Sequence, residues 1–331
     1  MNYNRPWIIF TAAVALLIAA VLISLKTGYV YIGWGDMFNV LTGRASGSKA
    51  EILTGVRLPR VITAILSGAA LALSGAILQS IMQNPLADSG IIGINSGAGL
   101  AVLLLIIWGG TANIFMVLVA AFIGGLGTAL MVAALSYSRR YGVTPMRLVL
   151  NGVAAGAGIS ALMIVLSLMI SSESYQFAAN FIAGTVWGST WQHVIMAAAG
   201  LSLILPVIIT RMRVLDILSL GTLNIISLGV NIKKERLLLL ICATGLSAVS
   251  VSVSGGIAFA GLIAPHLARK LVGRAHRFVL PLSALTGGLL VLAADTAGRT
   301  LFFPSALPAG VMVAIIGAPY FIYILMKSEN R

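Results

Sequence analysis

Few residues in this 331-residue chain are of a type that does chemistry, and their spacing argues against most of it. The three histidines, His193, His266 and His276, stand far apart, with no cysteine or carboxylate at metal-ligand spacing, so no metal site is expected. His266 follows Pro265 in an apolar run, where packing or a hinge is the plainer role. The single cysteine, Cys242, has no partner for an internal disulfide and reads as a small buried apolar side chain. No GxxxxGK[ST] loop is present, so the chain is not expected to hydrolyse ATP itself. An intramembrane protease needs Ser with His, or two Asp, on facing helices, and Asp295 is the only acid well inside an apolar run. The expectation is a protein that is no enzyme and carries no cofactor.

What remains polar falls into four groups. Arg57-Leu58-Pro59-Arg60 opens the second apolar run, where cations oppose the helix dipole, and an acidic partner would explain why both are kept. Snorkelling anchors are the alternative. Asp295 and Arg299 stand four apart in the acid-first order, about 6 Å along a helix axis, so each can neutralise the other. On that pairing Arg299 is expected to matter less to a partner than Arg57 and Arg60. The stretch 211–236 holds two short apolar pairs, Leu215 with Leu218 and Leu223 with Ile226, broken at Gly221 and closed by Gly229. It suits a hydrophobic elbow for a partner, or a helix lying on the membrane. Gln83-Asn84-Pro85-Leu86-Ala87-Asp88 is a turn whose place between two runs would suit a gate.

The elements that must position these groups are apolar. Hydrophobic residues make up 59% of the chain and charged ones 9%, against about a quarter charged in soluble domains, and mean hydropathy is +1.05. With roughly 20 residues per span, the chain forms an all-α polytopic membrane protein of about ten transmembrane helices in a single domain, 1–331. The runs lie at about 7–26, 58–81, 91–108, 114–137, 146–170, 191–210, 237–254, 257–272, 279–298 and 309–326. Tyr175 to Trp187 is half apolar and suits a re-entrant or surface helix. The first run is too long for a signal h-region and lacks a small-residue cleavage site, so it stays as a helix.

With both termini cytoplasmic, fifteen of the 21 basic residues fall inside, and Lys26, Arg44, Lys49, Arg57, Arg60 and Arg299 fall outside. That bias accounts for the net charge of +13 and removes nucleic acid as a partner, because the cations are split among loops. Thirty-six glycines suit close helix packing in lipid. Gly152, Gly156 and Ser160 on one run, and Gly68, Ala72 and Ala76 on another, repeat at that spacing. No internal repeat supports an inverted-repeat secondary transporter.

Together these groups resemble the FecCD family, the permease subunits of ABC importers for ferric siderophores, haem and cobalamin. The likeness runs through Arg57-Leu58-Pro59-Arg60, Ser74-Gly75, Gln79, Asn84-Pro85-Leu86-Ala87-Asp88, Leu220-Gly221 and Leu228-Gly229-Val230. It continues in Gly261 to Arg269, His276-Arg277, Ala294-Asp295 and Gly317-Ala318-Pro319. The resemblance implies ABC type II importer permease architecture in the cytoplasmic membrane. The implied partners are a second permease chain, two cytoplasmic ATP-binding subunits and an extracytoplasmic solute-binding protein. It implies that Arg57, Arg60 and Arg299 dock the binding protein. By the same likeness Leu220, Gly221, Leu228 and Gly229 belong to the ATPase coupling segment, and Asn84 and Leu86 narrow the cytoplasmic gate. Two positions depart from the family pattern: Ser89 replaces a proline after the acid, and Ala306 replaces a carboxylate between Pro304 and Pro308. A non-identical second permease could supply the missing acid.

The reading is a permease that moves a ferric siderophore by alternating access, driven by separate ATPase subunits. Haem or cobalamin is the alternative substrate. An ion-coupled secondary transporter titrating Asp295, and a purely structural scaffold, are the other readings.

Overall fold

The computed structural model describes residues 5–28, 30–44, 47–109, 113–138, 142–219, 231–303 and 305–329. Fourteen α-helices can be followed among the described residues. They begin with α1 (Arg5–Lys26), α2 (Trp34–Leu41) and α3 (Ser48–Glu51), which runs through a π turn at Ile52–Arg57 into α4 (Leu58–Met82). Then come α5 (Ile94–Ile107), α6 (Ile114–Leu135), a two-residue antiparallel pairing of Tyr137–Ser138 with Gly142–Val143, α7 (Pro145–Ser167), α8 (Ser172–Ala183), α9 (Trp191–Thr210) and α10 (Met212–Leu218). The chain closes with α11 (Ile232–Ser254), α12 (Ala260–Val272), α13 (His276–Leu301) and α14 (Ala309–Glu329).

Seven of these helices are long and apolar enough to cross a bilayer, the longest being the continuous rod Ser48–Met82. At two other expected spans the helices are shorter: α5 has 14 residues and α12 has 13. The half-apolar stretch near Tyr175 is the amphipathic helix α8.

The layering follows from side-chain size. The most apolar stretches of the Ser48–Met82 rod and α11 are 78% and 83% buried, whereas those of α1 and α7 are 11% and 17% buried. In lipid an apolar face gains little by leaving hydrocarbon for protein, so helices cohere where their backbones approach closely. On α4 that condition is met by glycine. A Cβ built on Gly75 would lie 1.8 Å from the carbonyl oxygen of Gly261 on α12, and one on Gly68 would lie 2.3 Å from that of Gly287 on α13. Serines add bonds across the same seams: Ser74 Oγ donates to Ala243 O (2.7 Å), and Ser250 Oγ donates to Ser67 O (3.0 Å), joining α4 to α11. The small-residue stripe on α7 seats it beside α5. Gly152 lies against Ile91 of the 3-10 turn Ser89–Ile92, and Ser160 Oγ lies 3.4 Å from Ser96 Oγ.

Gly75→Ala should force α4 and α12 apart, at a cost of about 1–3 kcal/mol for overpacking. Gly158, on α7 with no atom near a built Cβ, supplies the control. The apparent melting temperature in detergent should fall for Gly75→Ala and hold or rise for Gly158→Ala. Equal melting of both variants would show that the α4–α12 contact yields without cost.

Candidate functional site: the two polar ends of the bundle

At one end of α4 the helix begins with its cations facing other helices. Arg57 is only 7% exposed. Its Nη1 donates to Leu25 O (2.6 Å) and Lys26 O (3.2 Å), and its Nη2 donates to Val30 O. Leu25 and Lys26 belong to the last turn of α1, whose carbonyls have no partner within their own helix. The helix is already under way at Ser48, so Arg57 does not stand at a helix N-terminus as its sequence suggested, and its charge sits at the favourable, C-terminal end of α1. Gly28, at φ +152°, lets the guanidinium pass, since a Cβ there would lie 2.7 Å from Arg57 Nη2.

Arg299, on α13, grips the same turn from the other side. Its Nη1 donates to Thr27 O (2.6 Å), and its Nη2 donates to Ser24 O and to Ser24 Oγ (2.7 Å). The i,i+4 contact to Asp295 exists, but it is long, 3.8 Å from Nε to Oδ2. Asp295 gives its oxygens to Arg60 instead. Arg60 Nε donates to Oδ2 (2.9 Å) and Oδ1 (3.2 Å), and Nη2 donates to Oδ1 (2.7 Å). This is a bidentate fork across 235 residues of chain. The expected pairing of Asp295 with Arg299 is thus present, but the shorter, bidentate contact is made by Arg60 from the neighbouring helix.

All three arginines border an open cavity of about 1190 Å³, together with Lys26, Tyr31, Trp34 and Ala306. Lys26 Nζ rests 4.7 Å from the centre of the Trp34 ring. Four cations thus line the cavity, Asp295 is not in its wall, and at Ala306 the wall carries only a methyl group. Nearby, Lys49 (2.7 Å) and the Gly33 N–H hold the Asp36 carboxyl below the usual range while it caps α2.

The opposite end of α4 closes with Gln83 in the left-handed conformation (φ 51°). Asn84 follows as an Asx turn, its Oδ1 accepting the Leu86 N–H (2.9 Å). Asn84 is exposed and Leu86 half-buried. Ser89, in place of the family's proline, begins the 3-10 turn under α7 and is buried. One turn earlier, Gln79 resolves a defect on α12. Pro265 has no N–H to give Gly261 O, four residues back, and Gln79 Nε2 donates to that oxygen (3.3 Å) and to Leu262 O (3.4 Å). Arg269 in turn donates to Gln79 Oε1 and to Ala76 O.

Of the expected coupling segment, Leu220, Gly221, Leu228 and Gly229 lie outside the described residues. Its flanks are described. Leu215 and Leu218 on α10 are buried in the main core, so this apolar pair faces the bundle itself. Arg211 Nη1 donates to Glu235 Oε1 (2.8 Å), closing the neck of the segment. The histidines take separate parts: His193 Nδ1 accepts from the Thr190 N–H (3.1 Å) at the start of α9, His266 meets the edge of Tyr320, and His276 opens α13. The Asp216–His276 contact, across 60 residues, escaped sequence reasoning altogether; the only signal was that both residues flank turns at the same end of the bundle.

The FecCD transport family matches over residues 16–327. The chain belongs to the FecCD transport family. It is similar, at 38% identity over 333 residues and 98% of both chains, to the iron(3+)-hydroxamate import system permease protein FhuG of Bacillus subtilis. The iron-uptake system permease protein FeuC of the same organism is 36% identical over 325 residues, covering 96% of each chain. Among solved structures, an inward-facing metal-chelate type ABC transporter superposes with a TM-score of 0.84 at 30% identity, covering 97% of this chain and 99% of that one. Among the described residues of this FecCD chain, Arg60 meets Asp295 at one end of α4, and Gln79 and Ser80 meet Gly261, Arg269 and His276 at the other.

Removing one member of the arginine–aspartate cluster should cost more than removing a matched pair. Asp295→Leu leaves Arg60 without its carboxylate in a site where Asp295 is 2% exposed, and breaking a buried pair costs on the order of 3–5 kcal/mol. Asp295→Leu combined with Arg60→Met should recover much of the thermal stability in detergent. A double variant no more stable than Asp295→Leu would remove the bidentate pair as the reason for the loss.

Proposed function

We propose that this chain is the membrane-spanning permease subunit of a binding-protein-dependent ABC importer, carrying a ferric siderophore across the cytoplasmic membrane by alternating access. The supporting observation is the likeness to an iron(3+)-hydroxamate permease over 98% of both chains, joined to a bundle with a cation-lined cavity at one end and the Asn84 turn at the other. The chain moves its solute without chemistry on it. Two cytoplasmic ATP-binding subunits supply the driving free energy, a second permease chain completes the path, and an extracytoplasmic binding protein delivers the solute. Asn84 and Leu86 narrow the cytoplasmic mouth. Leu220, Gly221, Leu228 and Gly229 belong to the coupling segment.

Orientation follows from charge. Arg147, Arg211, Arg213, Lys233, Lys234 and Arg274 flank helix ends on the Asn84 side, which is therefore cytoplasmic. The Arg57 end faces outward. Arg57, Arg60 and Arg299 then form the floor of the cavity that receives the binding protein, with the excess of cations drawing its acidic residues. Because Arg57 and Arg299 already hold the end of α1, docking there is felt by α1 as well. Asp295 serves this surface as the ion-pair partner of Arg60.

Two measurements test the reading. Proteoliposomes holding the assembled complex, with ATP inside and no ion gradient, should accumulate radiolabelled iron as a ferric hydroxamate siderophore, and haem and cobalamin should fail to compete. Competition by haem or cobalamin would move the substrate, and uptake driven by an ion gradient without ATP would overturn the class. At the outer face, Arg60→Gln should weaken docking of the solute-loaded binding protein about tenfold, near the lower end of one charge-assisted contact. It should also flatten the dependence on salt. Unchanged affinity and salt dependence would leave Arg60 as a structural partner of Asp295 alone.

A further inference from the structure

At the cytoplasmic end, three polar groups from three separate elements form one chain of hydrogen bonds. Ser80 on α4 is 4% exposed and His276, the first residue of α13, is 1% exposed. Ser80 Oγ lies 2.7 Å from His276 Nε2. On the other edge of the ring, His276 Nδ1 lies 2.7 Å from Asp216 Oδ1 on α10, and the same oxygen accepts the His276 backbone N–H (2.8 Å). A carboxylate only accepts, so the Nδ1 proton points at Asp216 and Nε2 is turned to the serine hydroxyl. With Nδ1 carrying the ring proton, the single hydroxyl proton of Ser80 is given to Nε2, and Ala76 O at 2.9 Å is the competing acceptor within α4.

The order carboxylate, imidazole, hydroxyl is that of a hydrolase triad. Here the hydroxyl sits inside a helix turn with the surrounding backbone N–H groups spent on helix bonds, so the arrangement ties elements together and attacks nothing. What it ties is informative. Asp216 stands three residues before Ser219, where the described part of the coupling segment stops. Ser80 stands four residues before Asn84, at the mouth. A second strand of the same tie runs beside it, Gln83 Nε2 donating to Leu218 O (3.0 Å). The relay borders a cavity of about 270 Å³, lined also by Asn84, Ser219, Arg269 and Arg274. Among the described residues, Arg269 is the charge besides Asp216 that acts on the ring, and Arg274 lines the same cavity. The Arg211–Glu235 pair joins the two described flanks of the segment, α10 lying directly after Arg211.

We propose that His276 is a positioning residue for transport, transmitting movement of the coupling segment from Asp216 on α10 to Ser80 on α4 and so to the mouth at Asn84. This rests on the reading of 211–236 as the segment that meets the ATPase subunits. A hydrogen bond at the end of a helix is common. A dry imidazole that joins a segment's flank to the one helix bearing the gate serves more than capping.

The test uses the assembled complex in proteoliposomes and reads ferric hydroxamate uptake per ATP hydrolysed. Ser80→Ala and Asp216→Ala should each lower that ratio roughly tenfold, equivalent to about 1.4 kcal/mol, while ATP hydrolysis and assembly with the ATPase subunits persist. Because the two bonds lie in series, the double variant should lose no more than either single one. Asp216→Asn, which keeps an acceptor oxygen for both His276 N–H groups, should retain most of the parental ratio. A parental ratio in both alanine variants, or losses that multiply in the double variant, would overturn the relay. Ser80→Ala places a good helix former inside α4 and decides the matter where Asp216→Ala does not assemble. A parental complex without ATP-driven uptake would strike the proposed function, and not the relay.

Discussion

The close approach of α4 to its neighbours is the constraint on which the rest depends. A helix in lipid has no hydrophobic incentive to leave hydrocarbon for protein, so cohesion must come from contact area and hydrogen bonds. Gly68 and Gly75 supply the contact by admitting the backbones of α13 and α12, and Ser74 and Ser250 supply the bonds to α11. Small residues cost α4 helix propensity, which matters little where its backbone groups have no water to turn to. The result is a rod of 35 residues from Ser48 to Met82, held along most of its length. Such a rod can place polar groups at both ends with precision, because neither end moves independently of the middle.

At the Arg57 end, that precision solves a problem of charge burial. Guanidinium groups remain ionised at any ordinary pH, so each must find acceptors when it leaves water. Arg57 and Arg299 find them in the unpaired carbonyls at the end of α1, and Arg60 finds a carboxylate on α13. The same groups leave an excess of positive charge facing an open cavity. A structural role and a binding role are compatible here: the donors are held in place by carbonyls, which neutralise no charge. The π turn at Ile52–Arg57 precedes this cluster, and widened turns of this kind recur where a helix must aim a side chain.

At the other end, defects are matched with donors. Pro265 strips α12 of a hydrogen bond at the point where Gly75 approaches, and Gln79 fills it. Arg269 braces Gln79, and His276 links α10, α13 and α4. These bonds are few and specific.

The amino-acid sequence by itself determined the membrane class, the positions of the long apolar helices and the small-residue stripes. These depend on composition and on periodicity along one helix. It also exposed the ordered motifs by which the chain is placed in the FecCD transport family, and it singled out Arg57, Arg60, Asp295 and Arg299 as charges where charge is costly. Only the tertiary structure decided who pairs with whom. Spacing favoured Asp295 with Arg299, but the bidentate partner is Arg60, 235 residues away. Arg57 looked misplaced at a helix start and proves to lie inside the Ser48–Met82 rod, against the end of α1. Leu215 and Leu218 read as a surface for a partner and lie in the core. His276 and Asp216 gave no local sign of each other. The physical reason is the same in each case. Helical periodicity fixes which residues share a face, whereas a buried charge or orphaned carbonyl is satisfied through space by whichever element the fold brings within about 3 Å, and that distance is set by how helices cross.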